Sequence, residues 1–345
     1  MSIRIEKVNE KQFPENCTKS SFSVLITGAD GFIGKALCAE MVSMGWKVRA
    51  SVRSLNKIKS ISKEIEIIET GSIGPDTDWS HAFDNVVSIV HLAGLVHVME
   101  DSSSYSLSKY RIVNTAGTEK LARSAASSGV RRFVFMSTVK VNGEGREAPY
   151  TEDDISAPAD SYSISKWEAE YKIKEIARET GMETVIIRAP MIYGPEVKAN
   201  FLKLLKTIDR GVPMPLVGIK NRRSMIYIGN LVNLIIACMN HPKAAGQTYL
   251  VSDGEDVSTP ELVRQIAKAL GKSPKLFYLP IFMLRLAGII TGKSQQIERL
   301  TGSLTIDSSK IRKELNWSPP FTMIHGLKQT AEWFKKTGQN NYTIE

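Results

Sequence analysis

Between Ser21 and Pro190 short apolar runs alternate with longer stretches of helical period, and this alternation constrains the fold more than any other feature of the chain. The runs are SVLITG (23–28), KVRASVR (47–53), IEIIET (65–70), VSIVHLAG (87–94), RRFVFMST (131–138) and ETVIIRAP (183–190). Most are rich in Val and Ile and near-continuously apolar, as strands covered on both faces are. Between them, Ile33–Met44, VNTAGTEKLARSAASSG (113–129) and Tyr162 to about Thr180 carry helical spacing. The alternation predicts an α/β fold, a doubly wound parallel sheet with helices on both faces. Beyond Pro190 the pattern turns irregular, with Gly and Pro turns and separate helices, which predicts a second, smaller α/β lobe.

Of the 345 residues, 42% are hydrophobic and 23% charged, enough for a sizeable core and against general disorder. Cys17, Cys38 and Cys238 are scattered, odd in number and without CxxC spacing. They indicate neither a disulfide framework nor a zinc site, and fit a reducing compartment. The five His are isolated and no acidic cluster accompanies them, so no metal site is expected. The N-terminus carries Arg4, Glu6 and Lys7 and no apolar core of a signal peptide, which predicts a cytoplasmic protein. The stretch LFYLPIFMLRLAGII (276–290) is too short to span a bilayer and holds Pro280 and Arg285. It reads as a core helix, or as a contact with an anionic membrane surface, given Lys293 and a net charge of +9. The basic residues are dispersed and no helix-turn-helix, finger or RNP pattern occurs, so a nucleic-acid partner is not expected. A small, doubly anionic substrate suits the charge better.

The first strand runs directly into TGADGFIG. Gly28 would permit the tight turn, Gly31 a close approach to a pyrophosphate, and Gly34 the packing of helix on strand. With Asp30, Phe32 and Ile33 they form a candidate dinucleotide site at the start of a helix, whose free N–H groups would face phosphate oxygens. The sheet is then of Rossmann type. A lead-in is expected over 1–20, a dinucleotide-binding domain over 21–190, and a mainly substrate-binding lobe over 191–345, interleaved with the last elements of the first. An NAD site places an acid at the end of the second strand. Here RASVRS offers Ser51, Arg53 and Ser54 instead, and Arg53, helped by Ser51, would fork onto a 2′-phosphate. NADP(H) is therefore favoured over NAD(H), the other reading being a solvated surface Arg. Ser72 and Ile73, in TGSIG, stand at the adenine edge or in a plain turn. Leu92, Ala93 and Gly94 end the fourth strand, where small residues let backbone lie against a cofactor.

Tyr162 and Lys166 form Y-x-x-x-K and share a helix face. The ammonium would lower the phenol's pKa toward working pH, so that Tyr gives or takes the proton of a carbonyl/alcohol pair while nicotinamide moves hydride. Thr138, 24 positions earlier at the end of the fifth strand, can bind the same oxygen.

The ordered set TGADGFIG, HLAG, VNTAGT, MSTVKVNG, YSISK and RAPMIYGP resembles the extended short-chain dehydrogenase/reductase family, over residues 22 to about 335. The family includes UDP-galactose 4-epimerase and nucleotide-sugar dehydratases and reductases. The resemblance implies that Tyr162 is the general acid/base, that Lys166 tunes it and holds the nicotinamide ribose, and that Thr138, beside Ser137, is the catalytic hydroxyl. It places Asn114 behind the Tyr-bearing helix and Ala189 and Pro190 at the cofactor. It implies Asn200 as a contact of the substrate's diphosphate or uracil end and Arg223 as a contact of its diphosphate, with a helix cap and a surface salt bridge as their plain alternatives. Asn230 departs from the usual Asp of R-D-F-x-Y-V-x-D-V.

His97 and Lys140 are expected near the sugar. KVNGEG, VKANF, NRRS and LVSDGEDVSTPEL are similar to a subgroup found in bacterial surface-polysaccharide synthesis. Its members are often labelled UDP-glucose 4-epimerase, and some resemble reductases that convert UDP-4-keto-6-deoxy-N-acetylglucosamine to UDP-N-acetylquinovosamine. Arg53 without an acid favours reduction of a UDP-4-keto-6-deoxy-N-acetylhexosamine; 4-epimerisation with NAD is the alternative. A dehydratase would carry Asp–Glu after the catalytic Thr, where this chain has Val139 and Lys140. A catalytically inactive NADP-sensing protein would be expected to lose the Tyr/Lys pair. A homodimer is expected through helices at 105–128 and 162–180.

Overall fold

The computed structural model describes residues 22–55, 63–96, 103–292 and 294–341, so the lead-in and His97 lie outside the described residues. Seven parallel strands form the main sheet: β1 (Ser23–Thr27), β2 (Lys47–Val52), β3 (Glu66–Glu69), β4 (Val86–His91), β5 (Arg132–Thr138), β6 (Glu183–Ala189) and β9 (Thr248–Leu250). Their order is β3-β2-β1-β4-β5-β6-β9. This is the doubly wound Rossmann order with one added strand, and it bears out the expected fold class. The order reverses between β1 and β4, which opens a crevice at the carboxyl ends of those strands.

The sequence explains the layering. β1, β5 and β6 are almost wholly buried, as central parallel strands must be, while β3 carries Glu66 and Glu69 on the outer edge. On β5, Val134 and Met136 join the core under α1 (Phe32–Ser43) and α6 (Ile228–Asn240). Phe133 and Phe135 point to the opposite core, shared with α3 (Gly117–Ser127) and α4 (Ser161–Thr180). Fully burying each such Phe contributes about 2–3 kcal/mol. The first core runs on without a break into the C-terminal half, through α6, α7 (Thr259–Leu270) and Met323.

Between β4 and β5 the helix α2 (Ser103–Tyr110) passes through one wider π turn, Arg111–Ala116, and continues as α3. α4 begins at a capping box, in which Asp160 accepts from the Ser163 N–H and Ser163 Oγ receives the Asp160 N–H. It ends at Gly181, whose φ of 76° is the left-handed stop that glycine allows.

After β6 come β7 (Met191–Tyr193), α5 (Ala199–Asp209) and β8 (Met225–Tyr227); β7 and β8 pair as a separate parallel ribbon. α8 (Ile281–Ile290) and α9 (Ser294–Thr301) pack on each other as a hairpin, followed by α10 (Ser309–Leu315) and α11 (Met323–Asn341). The core-helix reading of 276–290 is corrected here. Only Leu284 and Gly288 of α8 are buried: Leu284 joins the edge of the main core, and Gly288 meets Ile297 of α9. Among the described residues no helix is long and apolar enough to cross a membrane.

Candidate active site

The crevice is built first from backbone. Gly28 follows β1 with φ +66°, and a methyl group there would lie 2.8 Å from Ala93 N. At Gly34 a methyl would fall 2.2 Å from Gly28 O, so helix α1 reaches the sheet only because both positions lack a side chain. α1 starts behind Gly31 without a side-chain cap or an acid in its first turn, which leaves its N-terminal N–H groups toward the crevice. Asp30, Phe32 and Ile33 line the same turn, half-buried. These residues fit a dinucleotide: a bare backbone cradle and a helix N-terminus at the switch point.

The outer end of this crevice is mixed. Arg53 is exposed just past β2, and no acid stands at 51–54. Ser51, expected to assist Arg53, is instead buried with its hydroxyl 2.9 Å from Thr70 Oγ1. Ser72 is exposed and its carbonyl receives the Thr77 hydroxyl; Ile73 is half-buried against Gly117. On the other wall, Leu92, Ala93 and Gly94 continue β4. A methyl at Gly94 would lie 3.2 Å from Asn114 Oδ1 and 3.8 Å from Lys166 Nζ, so α4 reaches the end of β4 here. Asn114, in the π turn, accepts the Leu95 N–H at 2.7 Å and donates to Leu95 O and to Ser165 Oγ, both at 3.0 Å. One amide therefore clamps the strand-end loop to α4.

Tyr162 and Lys166 lie one turn apart on α4. Lys166 is buried with Nζ 4.0 Å from the centre of the Phe135 ring, and burial lowers its pKa to about 7, against a weaker pull from Glu170. Tyr162 is half-buried and stacks edge-on against Tyr110, ring centres 6.1 Å apart. The expected lowering of its pKa does not hold: burial first, then Asp160 and Tyr110, push the phenol above its ordinary value. The ammonium that would favour phenolate is itself desolvated, and desolvation outweighs it. Thr138 closes β5 with Oγ1 accepting the Lys140 N–H at 3.3 Å, which starts the turn Val139–Val141. Ala189 and Pro190 are buried beside it at the end of β6.

Ser137, next to Thr138 in the chain, carries its hydroxyl to the other face of β5. The pleat turns it to the Phe135 side, where it donates to Glu170. Glu170, two turns below Tyr162, is ion-paired with buried Arg188 at 2.6 Å, and Arg188 also donates to Asn142 Oδ1 at 3.0 Å. This cluster, absent from the sequence expectations, ties α4, β5 and β6 beneath the reacting end. His91 is a second omission. It is buried between Thr27 Oγ1 (2.6 Å) and Thr118 Oγ1 (2.9 Å), and burial, with Lys166, lowers its pKa to about 3. It serves as a neutral brace. A histidine closing an apolar strand was the one signal for it.

The substrate side is less convergent. Lys140 bonds Asp160 at 2.7 Å and Glu144 at 2.9 Å, bridging the β5 turn to the start of α4. Arg223 gives one nitrogen, Nη1, to Arg299 O at 2.7 Å and Gly302 O at 3.1 Å. Asn200 is exposed in the first turn of α5, and Lys198 holds the cap position, which removes the cap reading. Asn230 is buried, donating to Asp253 Oδ1 (2.7 Å) and Phe321 O (2.8 Å) and accepting the Phe321 N–H (2.9 Å). That explains the departure from Asp: a second carboxylate would face Asp253 and could donate to neither partner. Among the described residues no group of three or more His, Cys, Asp or Glu is placed to hold a metal.

The model of the NAD dependent epimerase/dehydratase family matches residues 24–252. A Vibrio cholerae protein described as UDP-glucose 4-epimerase is 44% identical over 317 residues, 90% of this chain and 95% of that one. An Escherichia coli O157:H7 protein, N-acetyl-alpha-D-glucosaminyl-diphospho-ditrans,octacis-undecaprenol 4-epimerase, is 27% identical over 325 residues, 90% of this chain and 95% of that one. Bacillus cereus UDP-glucuronic acid 4-epimerase, solved with UDP-glucuronic acid and NAD, superposes with a TM-score of 0.76 at 21% identity, covering 92% of this chain and 100% of that one. The last likeness concerns the fold.

Proposed function

The chain belongs to the NAD dependent epimerase/dehydratase family, and from that premise we propose that it reduces the C4 ketone of a UDP-4-keto-6-deoxy-N-acetylhexosamine, using NADP(H). The observation that carries the choice is the end of β2, where Arg53 is exposed and no acid stands at 51–54 to receive a ribose 2′-hydroxyl. A nicotinamide dinucleotide, when bound, would supply the hydride. Gly28, Gly31 and the start of α1 would hold its pyrophosphate, Arg53 a 2′-phosphate, and Lys166 the nicotinamide ribose.

Tyr162 does the proton work. Its raised pKa keeps the phenol protonated, the form that can deliver a proton to the C4 oxygen as the ketone becomes an alcohol. The Thr138 hydroxyl binds the same oxygen and fixes its direction. Lys166, close to half-charged near pH 7, stabilises the phenolate left behind. The Arg188–Glu170–Ser137 cluster keeps α4 and β5 from sliding apart under these groups. Arg223 and Asn200 meet the diphosphate end. Ile112, Trp167 and Tyr171 are exposed on the π turn and α4, and support a homodimer through these helices. A place in surface-polysaccharide synthesis follows from such a product.

The test follows cofactor oxidation by purified protein with UDP-4-keto-6-deoxy-N-acetylglucosamine, comparing NADPH with NADH. NADPH is expected to be preferred, Arg53→Asp to reverse the preference, and Tyr162→Phe to abolish turnover while sparing cofactor binding. Unchanged turnover in Tyr162→Phe would sink the mechanism. A second reading, UDP-hexose 4-epimerisation with retained NAD, is favoured by the 44% likeness to the Vibrio protein. Tightly held NAD released on denaturation, without oxidation of either added cofactor, would select it.

A further inference from the structure

We propose that the α8–α9 hairpin docks the protein on the surface of an anionic lipid bilayer. The argument begins with where the apolar side chains of α8 point. Phe282, Met283, Leu286, Ile289 and Ile290 are 45–75% exposed. At ~100° per residue these five fall within an arc of about 120°, diametrically opposite the buried Leu284 and Gly288. The helix therefore has two apolar faces: a narrow one spent on the main core and α9, and a broad one left to solvent. Phe277 and Tyr278, 46% and 66% exposed, stand in the segment that leads into the helix. Scattered exposed Leu or Ile residues are ordinary; seven large ones in fourteen positions are not.

Charge selects the occupant. From Gly271 to Ile297 the sequence holds Lys272, Lys275, Arg285 and Lys293 and no acid; Lys272 pairs with Asp209 at 3.4 Å, which leaves Lys275, Arg285 and Lys293 to set the sign. Arg285 lies about 40° beyond Ile289, at the edge of the exposed arc, where a long cationic side chain borders an interfacial helix. A second copy of the chain, docked by a two-fold axis, would bring these cations against one another. An anionic bilayer answers both properties at once, taking the apolar arc between its headgroups and the cations at its surface.

The position has a consequence for the site. Arg223 donates to the carbonyls of Arg299 and Gly302 at the end of α9, so the hairpin hangs from a residue that the proposed function assigns to the substrate diphosphate. A hairpin seated on a membrane would hold the crevice mouth within reach of that surface.

The experiment is flotation of the full chain with vesicles of phosphatidylcholine alone and of phosphatidylcholine with about 30% phosphatidylglycerol. The protein is expected to float with the anionic vesicles and to release in high salt. The paired substitution Phe282→Ser and Ile289→Ser should weaken partition at least ~tenfold, through lost apolar burial. The pair Lys275→Gln and Arg285→Gln should weaken it by about fivefold per charge and remove the preference for anionic lipid. All four positions are exposed, so thermal midpoints should be unchanged and neither result can be read as unfolding. Absence of flotation in the parent protein, or flotation by both variants undiminished from the parent's, would overturn the proposal. So would loss of dimer in the Ser pair by sedimentation velocity without any vesicle binding, which would assign the face to a second copy.

Discussion

Asn230→Asp tests the buried polar account most directly. The substitution keeps size and shape and removes two hydrogens, which now go to Asp253 Oδ1 at 2.7 Å and Phe321 O at 2.8 Å. Leaving Phe321 O without its donor costs about 1–3 kcal/mol. The new carboxylate also faces Asp253, whose own pKa burial already raises. Two carboxylates at that range do not both ionise, and keeping one protonated ~2 pH units above its ordinary range costs about 3 kcal/mol. The sum, about 4–6 kcal/mol at neutral pH, is a large part of the 5–15 typical of a folded domain. For a chain of this length it lowers the melting midpoint by roughly 5–8 °C. The pH dependence has a definite sign. The introduced acid has a folded pKa above its unfolded value of about 3.9, so the unfolded chain releases the proton first and stability falls as pH rises through that window. Toward pH 4.5 the deficit should shrink to little more than the about 1–3 kcal/mol of the lost Phe321 bond, and it should be fully developed by about pH 7. Circular dichroism melts at both ends measure it. Adding Asp253→Asn restores one acid and one amide and should recover at least half of the loss. A midpoint within about 1 °C of the parent at neutral pH would refute the reasoning, as would the same deficit at both ends.

Other outcomes are equally specific. Glu170→Gln leaves Arg188 buried without its anion and should cost about 3–5 kcal/mol in urea titrations. Glu66→Gln, which removes an exposed partner of Arg49, should cost about 1 kcal/mol or less. Lys166→Met should abolish turnover yet stabilise the dinucleotide-free protein. Because the folded pKa of about 7 lies below the unfolded 10.5, the gain should be greatest below pH 7 and vanish near pH 10 in thermal melts.

Much of the sheet could be read from sequence because buried parallel strands announce themselves by unbroken apolar runs. β1, β4, β5 and β6 fall where those runs fall. The glycine loop was equally visible, since its function depends on backbone shape and glycine is the only residue that permits it. The β7–β8 ribbon was not, because three-residue strands lie below the length at which period 2 can be recognised. The exposure of α8 was hidden for the opposite reason. An apolar helix reads alike whether it faces a core or solvent, and Gly288 against Ile297 decides the matter through a contact outside the run. The polar partners of the site were the least legible. Ser137 with Glu170, Lys140 with Asp160 and Asn230 with Asp253 each join positions 20 or more apart, and no local pattern announces such pairings.

The π turn at Arg111–Ala116 acts as a phase adjuster for the helix that contains it. It carries one residue more than the α-helical path requires, so everything before it is rotated by about 100° relative to everything after it. Downstream, Leu121 and Ala125 stay in register with the sheet; upstream, Tyr110 swings into edge-on contact with Tyr162. The two halves of one helix thus answer to two different surfaces, and a single deletion inside the turn would leave the domain folded while turning Tyr110 away from the phenol it encloses.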